Sequence, residues 1–371
     1  MSDTNTTSSV GISSRPAPLG RNSVLTHAPD EWQHAPEVLG AVKRALDSGS
    51  GAGRFLLTAS VAAPLTEDQW PMTGRVTELR LAPMTVAELT GALGGTTAVD
   101  RFLTGTADAL RPATPPAEAP DVVGYLDLAL RSGFPQAAVT PARSRSAWLR
   151  GYRDQTVARD SQLAKAGVDP TRFGHFLEAV ALHTATVTTT QTLLDVAQVN
   201  RQTAHQYERL LERLHLLATV PAWSSRGLQR LVKTPKRFLV DAGLAAAILD
   251  LETDDILFDA TVKGRLLETF VAAQVMAEAP FAASRPKVFH FRDANGRREI
   301  DLLLRYPRGR LVALEVKASA TVGASDTRHL RWLRDTLGDT FVCGIVLNTG
   351  AFTRELDDRL FAAPISTCWA G

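Results

Sequence analysis

The sequence contains little cysteine: only Cys343 and Cys368 occur among its 371 residues. Two cysteines exclude a disulfide framework and a zinc site built from cysteine ligands. The chain also lacks any run of about 18 apolar residues, the length that a membrane helix needs. Its first residues do not show the basic-then-apolar order of a signal peptide. We therefore expect a cytoplasmic protein that is not inserted in a membrane.

Charge of one sign is also scarce, because the formal net charge is only +2. The overall charge therefore does not indicate a nucleic-acid partner, and any such partner must be argued from local clusters. With 44% hydrophobic and 22% charged residues, the composition is that of an ordinary globular protein. The length suits two or three domains.

A phosphate-binding loop of the form G-x-x-x-x-G-K-S/T is missing as well. The nearest segment, GLQRLVKT, has Val232 where the second glycine must stand. The glycines at 49–53 lack the lysine and follow a predicted helix instead of preceding one. Without backbone amides and a lysine around the phosphates, we expect neither ATP binding nor ATP hydrolysis.

The N-terminal third changes character along its length. Residues 1–22 are rich in Ser, Thr, Pro and Gly, which predicts a disordered tail. Within residues 23–103, the helical pattern APEVLGAVKRALD alternates with the apolar segments RFLLTAS and VTELRLAP, which predict strands. Thr85 and Glu88 predict a capping box that opens the helix TVAELTGAL. This alternation indicates a small part of a parallel α/β domain, and residues 104–120, with four prolines, predict a linker.

Residues 121–170 predict a helical connector, and residues 171–240 contain a helix-turn-helix pattern. One helix ends near Ala197, and Asn200 offers the cap of a second helix that buries Tyr207 and the leucines after it. The outward positions are polar or basic: Arg201, Gln202, His205, Gln206 and Arg209. This face predicts contact with DNA. The alternative is a helical packing module with a solvated polar face.

The segment 226–237 is strongly basic and contains no acid. It could follow the phosphates of a nucleic acid, or it could be a solvated loop before the strand RFLVDAGL. Its basic residues are Arg226, Arg230, Lys233, Lys236 and Arg237.

The segment RREIDLLLRYPRGRLVALEVKAS predicts a β-hairpin, because two apolar runs flank a turn. Pro307 suits the first central position of a type I turn, and Gly309 suits the left-handed residue of a three-residue loop. The register follows by counting. It pairs Tyr306 with Arg310, Leu303 with Ala313, Asp301 with Glu315, and Glu299 with Lys317.

Alternation along these strands gathers four ionisable side chains on one face of a half-buried sheet. Asp301 opposite Glu315 is unfavourable, since two like charges about 4 Å apart repel by roughly 4 kcal/mol at an effective dielectric of 20. A bound divalent cation reverses that sign, and carboxylates with water and a backbone carbonyl suit Mg²⁺. Lys317 could orient an attacking water and stabilise charge on a phosphate.

This pattern resembles the PD-(D/E)XK nuclease signature, with Asp301 as the Asp and Glu315-Val316-Lys317 as the (D/E)XK. The resemblance adds Glu268 on the preceding helix KGRLLETFVAAQVMAEA, and Ile300 stands where the motif has Pro. It implies catalytic roles for Glu268, Asp301, Glu315 and Lys317, with Mg²⁺ or Mn²⁺ held by the three acids. The alternatives are an ion-paired structural hairpin and a nuclease fold without activity.

Most of the chain after the tail is similar to a family of prokaryotic AAA-type ATPases. Their C-terminal region is a domain of unknown function that combines a winged-helix segment with a restriction-endonuclease-like domain. The likeness lies in stretches such as PDEWQHAPEVLGAVKRALD, LVKTPKRFLVDAGLAAAIL and GRLLETFVAAQV. It implies that Asp30 and Glu31 are the magnesium-binding and water-activating acids, and that Thr58 or Ser60 is the polar sensor. Since the phosphate-binding loop is missing, the resemblance implies an ATPase remnant or the product of a truncated gene.

These observations predict a mixed α/β protein with three parts: a partial P-loop-type ATPase domain, a helical winged-helix segment and, at 241–371, a restriction-endonuclease-like α/β domain. We expect DNA as a partner, with Arg331, flanked by Arg328 and Arg334 on the helix SDTRHLRWLRDTL, meeting the backbone. A protein partner or a second copy is expected to cover the edge of the truncated sheet. The main hypothesis is metal-dependent cleavage of phosphodiesters. The alternative is a non-catalytic DNA-binding or regulatory protein that uses the nuclease fold as a scaffold.

Overall fold

A computed structural model describes residues 30–32, 35–49, 53–60, 72–92, 94–112, 115–160, 168–224, 234–293 and 296–369. The tail 1–22 and three basic positions, Arg226, Arg230 and Lys233, lie outside the described residues. The described chain holds 13 α-helices and two sheets, of two and six strands. The predicted mixed α/β class is confirmed. None of these helices is both long and apolar enough to cross a membrane.

The chain forms two compact units, Met1–Leu79 and Arg80–Gly371. In the first unit, helix α1 (Glu37–Asp47) buries Leu39 and Val42 against Met72. The strands predicted at RFLLTAS and VTELRLAP are wrong, since neither described segment forms a regular strand beyond a single bridge residue at Phe55. A strand needs a neighbour that accepts and donates its backbone hydrogen bonds, and an apolar pattern alone does not supply one.

The second unit begins with short helices and a helical layer. They are α2 (Val86–Thr90), α3 (Ala98–Phe102), α4 (Val122–Arg131), α5 (Pro135–Val139) and α6 (Ala142–Gln155). The capping box predicted for α2 is confirmed. Thr85 accepts a hydrogen bond from the backbone N–H of Glu88, and the Glu88 carboxylate accepts one from the backbone N–H of Thr85 at 2.7 Å.

Three helices and a β-ribbon follow: α7 (Pro170–Leu182), α8 (Thr190–Ala197), α9 (Arg201–Arg213), β1 (Leu217–Val220) and β2 (Lys236–Leu239). The predicted helix-turn-helix is confirmed as local structure. Gln198 ends α8 in the left-handed conformation, and the Asn200 side chain accepts from the backbone N–H of Thr203 to cap α9. β1 and β2 pair antiparallel.

The C-terminal part is built on a six-stranded sheet preceded by α10 (Ala242–Ile248), α11 (Thr253–Phe258) and α12 (Ala260–Glu278). Its strands are β3 (Lys287–Arg292), β4 (Glu299–Arg305), β5 (Leu311–Val316), β6 (Phe341–Asn348), β7 (Arg354–Asp357) and β8 (Leu360–Pro364). The order across the sheet is β3-β4-β5-β6-β8-β7. β5, β6 and β8 run parallel, and helix α13 (Arg328–Leu337) makes the crossover from β5 to β6.

The predicted hairpin register is confirmed over the four paired residues of each strand, where Leu303 pairs with Ala313. The predicted pairs Asp301–Glu315 and Glu299–Lys317 lie beyond these paired residues and stay predictions. The backbone N–H of Tyr306 donates to the carbonyl of Arg310 at 2.8 Å. The type I turn is wrong, because Arg308 as well as Gly309 has a left-handed conformation, with φ of 64° and 76°. The sheet is also more than half-buried. Because consecutive residues point to opposite faces, the burial of Leu302, Leu303 and Leu304 shows that both faces of β4 are covered.

Gly133 is a point of close backbone contact. Its N–H donates to Asp241 at 2.7 Å, and its carbonyl accepts from Met84 N–H at 2.7 Å. A Cβ at this position would lie 2.4 Å from the Met84 carbonyl oxygen. We expect Gly133→Ala to lower the free energy of unfolding by about 2 kcal/mol or more, because neighbouring backbone must move. Urea unfolding followed by circular dichroism measures this change.

Gly151→Ala in α6 is the matched control, since no neighbouring atom lies within 4 Å of a Cβ built there. This substitution should raise the stability by roughly 0.5–1 kcal/mol, the helix-propensity gain of alanine over glycine. Equal effects of the two substitutions would contradict the close contact at Gly133.

Candidate acid and lysine site

The ammonium of Lys236 lies among three carboxylates. This residue begins β2, and its side chain is only 1% exposed. Its Nζ lies 3.2 Å from Oδ1 of Asp301 and 3.5 Å from Oε1 of Glu299, and it contacts Oε1 of Glu268 directly. Helix α12 supplies Glu268, and β4 supplies the other two acids. One buried cation therefore joins the ribbon, the helix and the sheet.

A second lysine and acid pair lies beside the first, where β5 ends. Lys317 Nζ is 3.3 Å from Oε2 of Glu315, and the Val316 N–H donates to Oδ2 of Asp301 at 2.9 Å. Asp301 thus contacts both halves of the site. The remaining oxygen of Glu315, Oε1, is buried and has no hydrogen-bond partner among the described residues. A buried oxygen of this kind calls for a partner such as a water or a cation.

The site holds more negative than positive groups. Four carboxylates face two ammonium groups and the Arg292 guanidinium, whose Nε lies 3.7 Å from Oε2 of Glu299, which leaves an excess of one negative charge when all are ionised. Burial, followed by repulsion from Asp301, raises the pKa of Glu268 to about 8. The same two causes raise the pKa of Glu315 well above its usual value. Site chemistry therefore depends on how this excess charge is balanced.

The two lysines stay charged for the complementary reason. Burial lowers the pKa of Lys236, but attraction to Glu268, Asp301 and Glu299 outweighs it and raises that pKa above the ordinary value. Burial likewise lowers the pKa of Lys317, but attraction to Glu315 outweighs burial, so that pKa is also raised.

The structure brings together all four residues of the predicted nuclease constellation, Glu268, Asp301, Glu315 and Lys317. Sequence reasoning missed Lys236 as a member of this site. Its interpretation as an exposed phosphate contact is wrong, because the side chain is buried among acids. Its place at the start of a strand, two residues before the buried Phe238 and therefore on the same face by period-2 alternation, was a signal that could have indicated burial.

Arg237, grouped with the same basic segment, is buried as well. Its Nε lies 2.6 Å from Oε1 of Glu208 on α9, and a terminal nitrogen donates to the carbonyl of Thr188 at 3.0 Å. Lys236 and Arg237, adjacent residues of β2, therefore form ion pairs with different acids. This is expected because consecutive side chains point to opposite faces of a strand.

The three acids of the predicted metal site are each paired with a lysine in the described residues. No group of three or more His, Cys, Asp or Glu side chains there is arranged to hold a metal. Lys236 pairs with both Glu268 and Asp301, and Lys317 pairs with Glu315. Mg²⁺ is usually bound through one or two carboxylates, with waters and substrate phosphates completing its shell. Each carboxylate offers about four acceptor positions, so Asp301 and Glu315 keep acceptor positions beyond their lysine contacts, among them the unpartnered Oε1 of Glu315.

The candidate nucleotide residues of the first unit contact one another. The hydroxyl of Thr58 donates to the carboxylate of Asp30, and the hydroxyl of Ser60 donates to that of Glu31 at 2.8 Å. The backbone N–H of Trp32 also donates to the carbonyl of Thr58 at 3.2 Å. These hydrogen bonds bring the two acids together with Thr58 and Ser60, while the roles that the resemblance implies for the four residues stay a prediction.

The candidate nucleic-acid residues differ in exposure. Arg201, Gln202 and Arg209 are exposed on α9. Arg331 on α13 is instead paired with Asp357 at 3.0 Å, and Arg334 contacts the same carboxylate at 3.3 Å. A shared acid on β7 therefore offsets part of the positive charge that the sequence indicates on α13.

Two regions of the chain match families of known proteins. Residues 124–255 match a domain of unknown function, DUF8612. Residues 263–368 match a second domain of unknown function, DUF4143. No curated protein and no solved structure matches the chain. Lys236 lies in the first matched region, while its acid partners lie in the second.

The raised pKa of Glu268 predicts how stability depends on pH. The folded protein keeps the proton up to about pH 8, whereas the unfolded chain releases it near 4.5. The unfolded state therefore binds fewer protons in this window, and stability falls as the pH rises through it. We expect Glu268→Gln to remove about 2–4 kcal/mol of that fall. Urea unfolding at a series of pH values measures how the free energy of unfolding of wild type and of Glu268→Gln changes with pH. An equal change in the two proteins would contradict the raised pKa of Glu268.

Proposed function

We propose that the chain is a DNA-associated protein, related to AAA-type ATPases, whose C-terminal domain cleaves phosphodiesters at a PD-(D/E)XK-type site. The observation that carries this proposal is the buried Glu315 carboxylate, with its unpartnered oxygen beside Lys317 and Asp301. The order of elements supports it. A helix with Glu268, a strand with Asp301 and a strand ending in Glu-x-Lys follow one another, and α13 and β6 complete the layer.

Asp301 and Glu315 are the residues that would hold Mg²⁺ or Mn²⁺. When bound, such an ion supplies positive charge at the phosphate and lowers the pKa of a coordinated water. Lys317 is the residue of the site best placed to meet a substrate, since 36% of its side chain is exposed. Its ammonium would orient water and stabilise the negative charge that develops on the phosphate.

The DNA-binding part of the proposal rests on α9 and the ribbon after it. Three helices followed by two antiparallel strands are the element order of a winged helix. The second helix of the pair presents polar and basic side chains to solvent, at Arg201, Gln202, His205, Gln206 and Arg209. Such a face suits the major groove of a duplex.

ATP turnover is not part of the proposed activity. The sequence has no phosphate-binding loop, so Asp30 and Glu31 have no lysine and no loop amides to work with. Their contacts with Thr58 and Ser60 support the interpretation of this unit as an ATPase remnant.

One observation favours a second candidate function, a non-catalytic scaffold. Lys236 already balances Glu268 and Asp301 with a fixed positive charge. A site that is satisfied in this way can hold the domain together without a metal. The DNA-binding helix would then serve a regulatory protein.

Cleavage of plasmid DNA in the presence of Mn²⁺ separates the two candidates. We expect wild type to nick the plasmid and Asp301→Ala to lose at least about 100-fold in rate, the scale seen when one transition-state stabilising group is removed. Glu118→Ala, which changes an exposed acid in another segment, is the matched control. Cleavage that persists in Asp301→Ala would reveal a contaminant, and absence of cleavage in both proteins would favour the scaffold.

Contact of α9 with DNA has a separate readout. We expect the double variant Arg201→Ala, Arg209→Ala to bind a duplex at least about tenfold more weakly. Its affinity should depend less on salt, by about one unit of slope for each lost phosphate contact. Fluorescence anisotropy at several salt concentrations measures both quantities. Arg143→Ala on α6 is the control, and unchanged binding by the double variant would identify a solvated face.

A further inference from the structure

Lys236 places its ammonium at the centre of a group of three carboxylates. Its ammonium contacts oxygens of Glu268, Glu299 and Asp301, and water has almost no access to it. Two-metal nucleases hold their ions about 3.5–4 Å apart between shared carboxylates. Asp301 is such a shared carboxylate here, since it contacts Lys236 on one side and the Glu315 strand on the other.

We infer that Lys236 replaces one divalent cation, so that the acid cluster takes at most one ion, on the side of Glu315. This inference rests on the proposed metal site and names its stoichiometry. The lysine is a positioning residue, because it fixes the acids and excludes an ion without touching the substrate.

The charge of the cluster supports a single ion. With Lys236, Lys317 and Arg292 in place, the cluster keeps an excess of one negative charge when all its groups are ionised. One divalent ion changes this to an excess of one positive charge, and a second ion changes it to three, which is far more costly in a medium of low dielectric.

The distances favour the same conclusion. An ion such as Mg²⁺ requires oxygens at about 2.0–2.1 Å, whereas the lysine holds Asp301 and Glu299 at 3.2 and 3.5 Å. These oxygens lie at distances that suit an ammonium, and they would have to move inward by about 1 Å to bind a metal at the same place. These distances agree with the lack of a three-ligand group in the described part of the chain.

Strand β2 holds the lysine in this position from its other face. Arg237 pairs with Glu208 on α9 and donates to the carbonyl of Thr188. Because the next residue is fixed in this way, the backbone of β2 that carries Lys236 is held in place beside the acids. Lys236 thus comes from the region matched by DUF8612, and the acids that it contacts come from the region matched by DUF4143.

The test counts Mn²⁺ ions bound to the full chain by isothermal titration and by electron paramagnetic resonance of free Mn²⁺. We expect Lys236→Met to bind one ion more than wild type, and Mn²⁺ to raise its melting temperature more than it raises that of wild type. Arg237→Met, which removes the neighbouring buried cation, should bind the same number of ions as wild type. Lys236→Met combined with Glu268→Gln should lose the additional ion, because Glu268 is one of its ligands.

Each result decides the inference separately from the proposed function. A rise from one ion to two supports both, and a rise from none to one supports the role of Lys236 while overturning the metal site at Asp301 and Glu315. An equal count in wild type and Lys236→Met overturns the inference and leaves the proposed site standing if that count is one. A Lys236→Met protein that stays unfolded in saturating Mn²⁺ also overturns it, since the ion then fails to replace the ammonium. Retention of the additional ion by the double variant has the same consequence.

Discussion

Burial of the Lys236 ammonium among carboxylates is the interaction on which the site and its surroundings depend. Removing an ammonium and carboxylates from water is costly, and only close pairing in the interior offsets that cost. Lys236 achieves this by contacting Glu268, Glu299 and Asp301 at once. Because the lysine and its partners come from different matched regions, the ribbon and the six-stranded sheet form one electrostatic unit.

The resulting site has two unlike sides. On one side Lys236 is buried and its contacts are complete. On the other side Glu315 keeps an oxygen without a partner, and Lys317 is partly exposed. The two candidate functions depend on different sides of this site: the scaffold depends on the ion pairs of the closed side, and the proposed cleavage depends on Glu315 and Lys317 at the open side.

The described part of the first unit differs from the site, because its apolar extended segments do not pair with neighbouring strands. Its helix α1 forms and buries an apolar face, because a helix satisfies its own backbone hydrogen bonds. Its apolar extended segments do not become strands in the described residues, because strands depend on a partner. Leu56 and Leu79 accordingly stay exposed along these segments.

The sequence by itself determined what short-range geometry controls. The Thr85 capping box, the Asn200 cap of α9 and the Leu303–Ala313 register all follow from residues a few positions apart. That register gathered Asp301, Glu315 and Lys317, so most of the candidate site was predictable. Only the tertiary structure decided the role of Lys236, which lies 32 positions before Glu268 and 65 before Asp301, and the pairing of Arg331 with Asp357. A charged side chain reads as exposed in sequence, and only the packing of distant elements can provide the opposite charges that allow its burial.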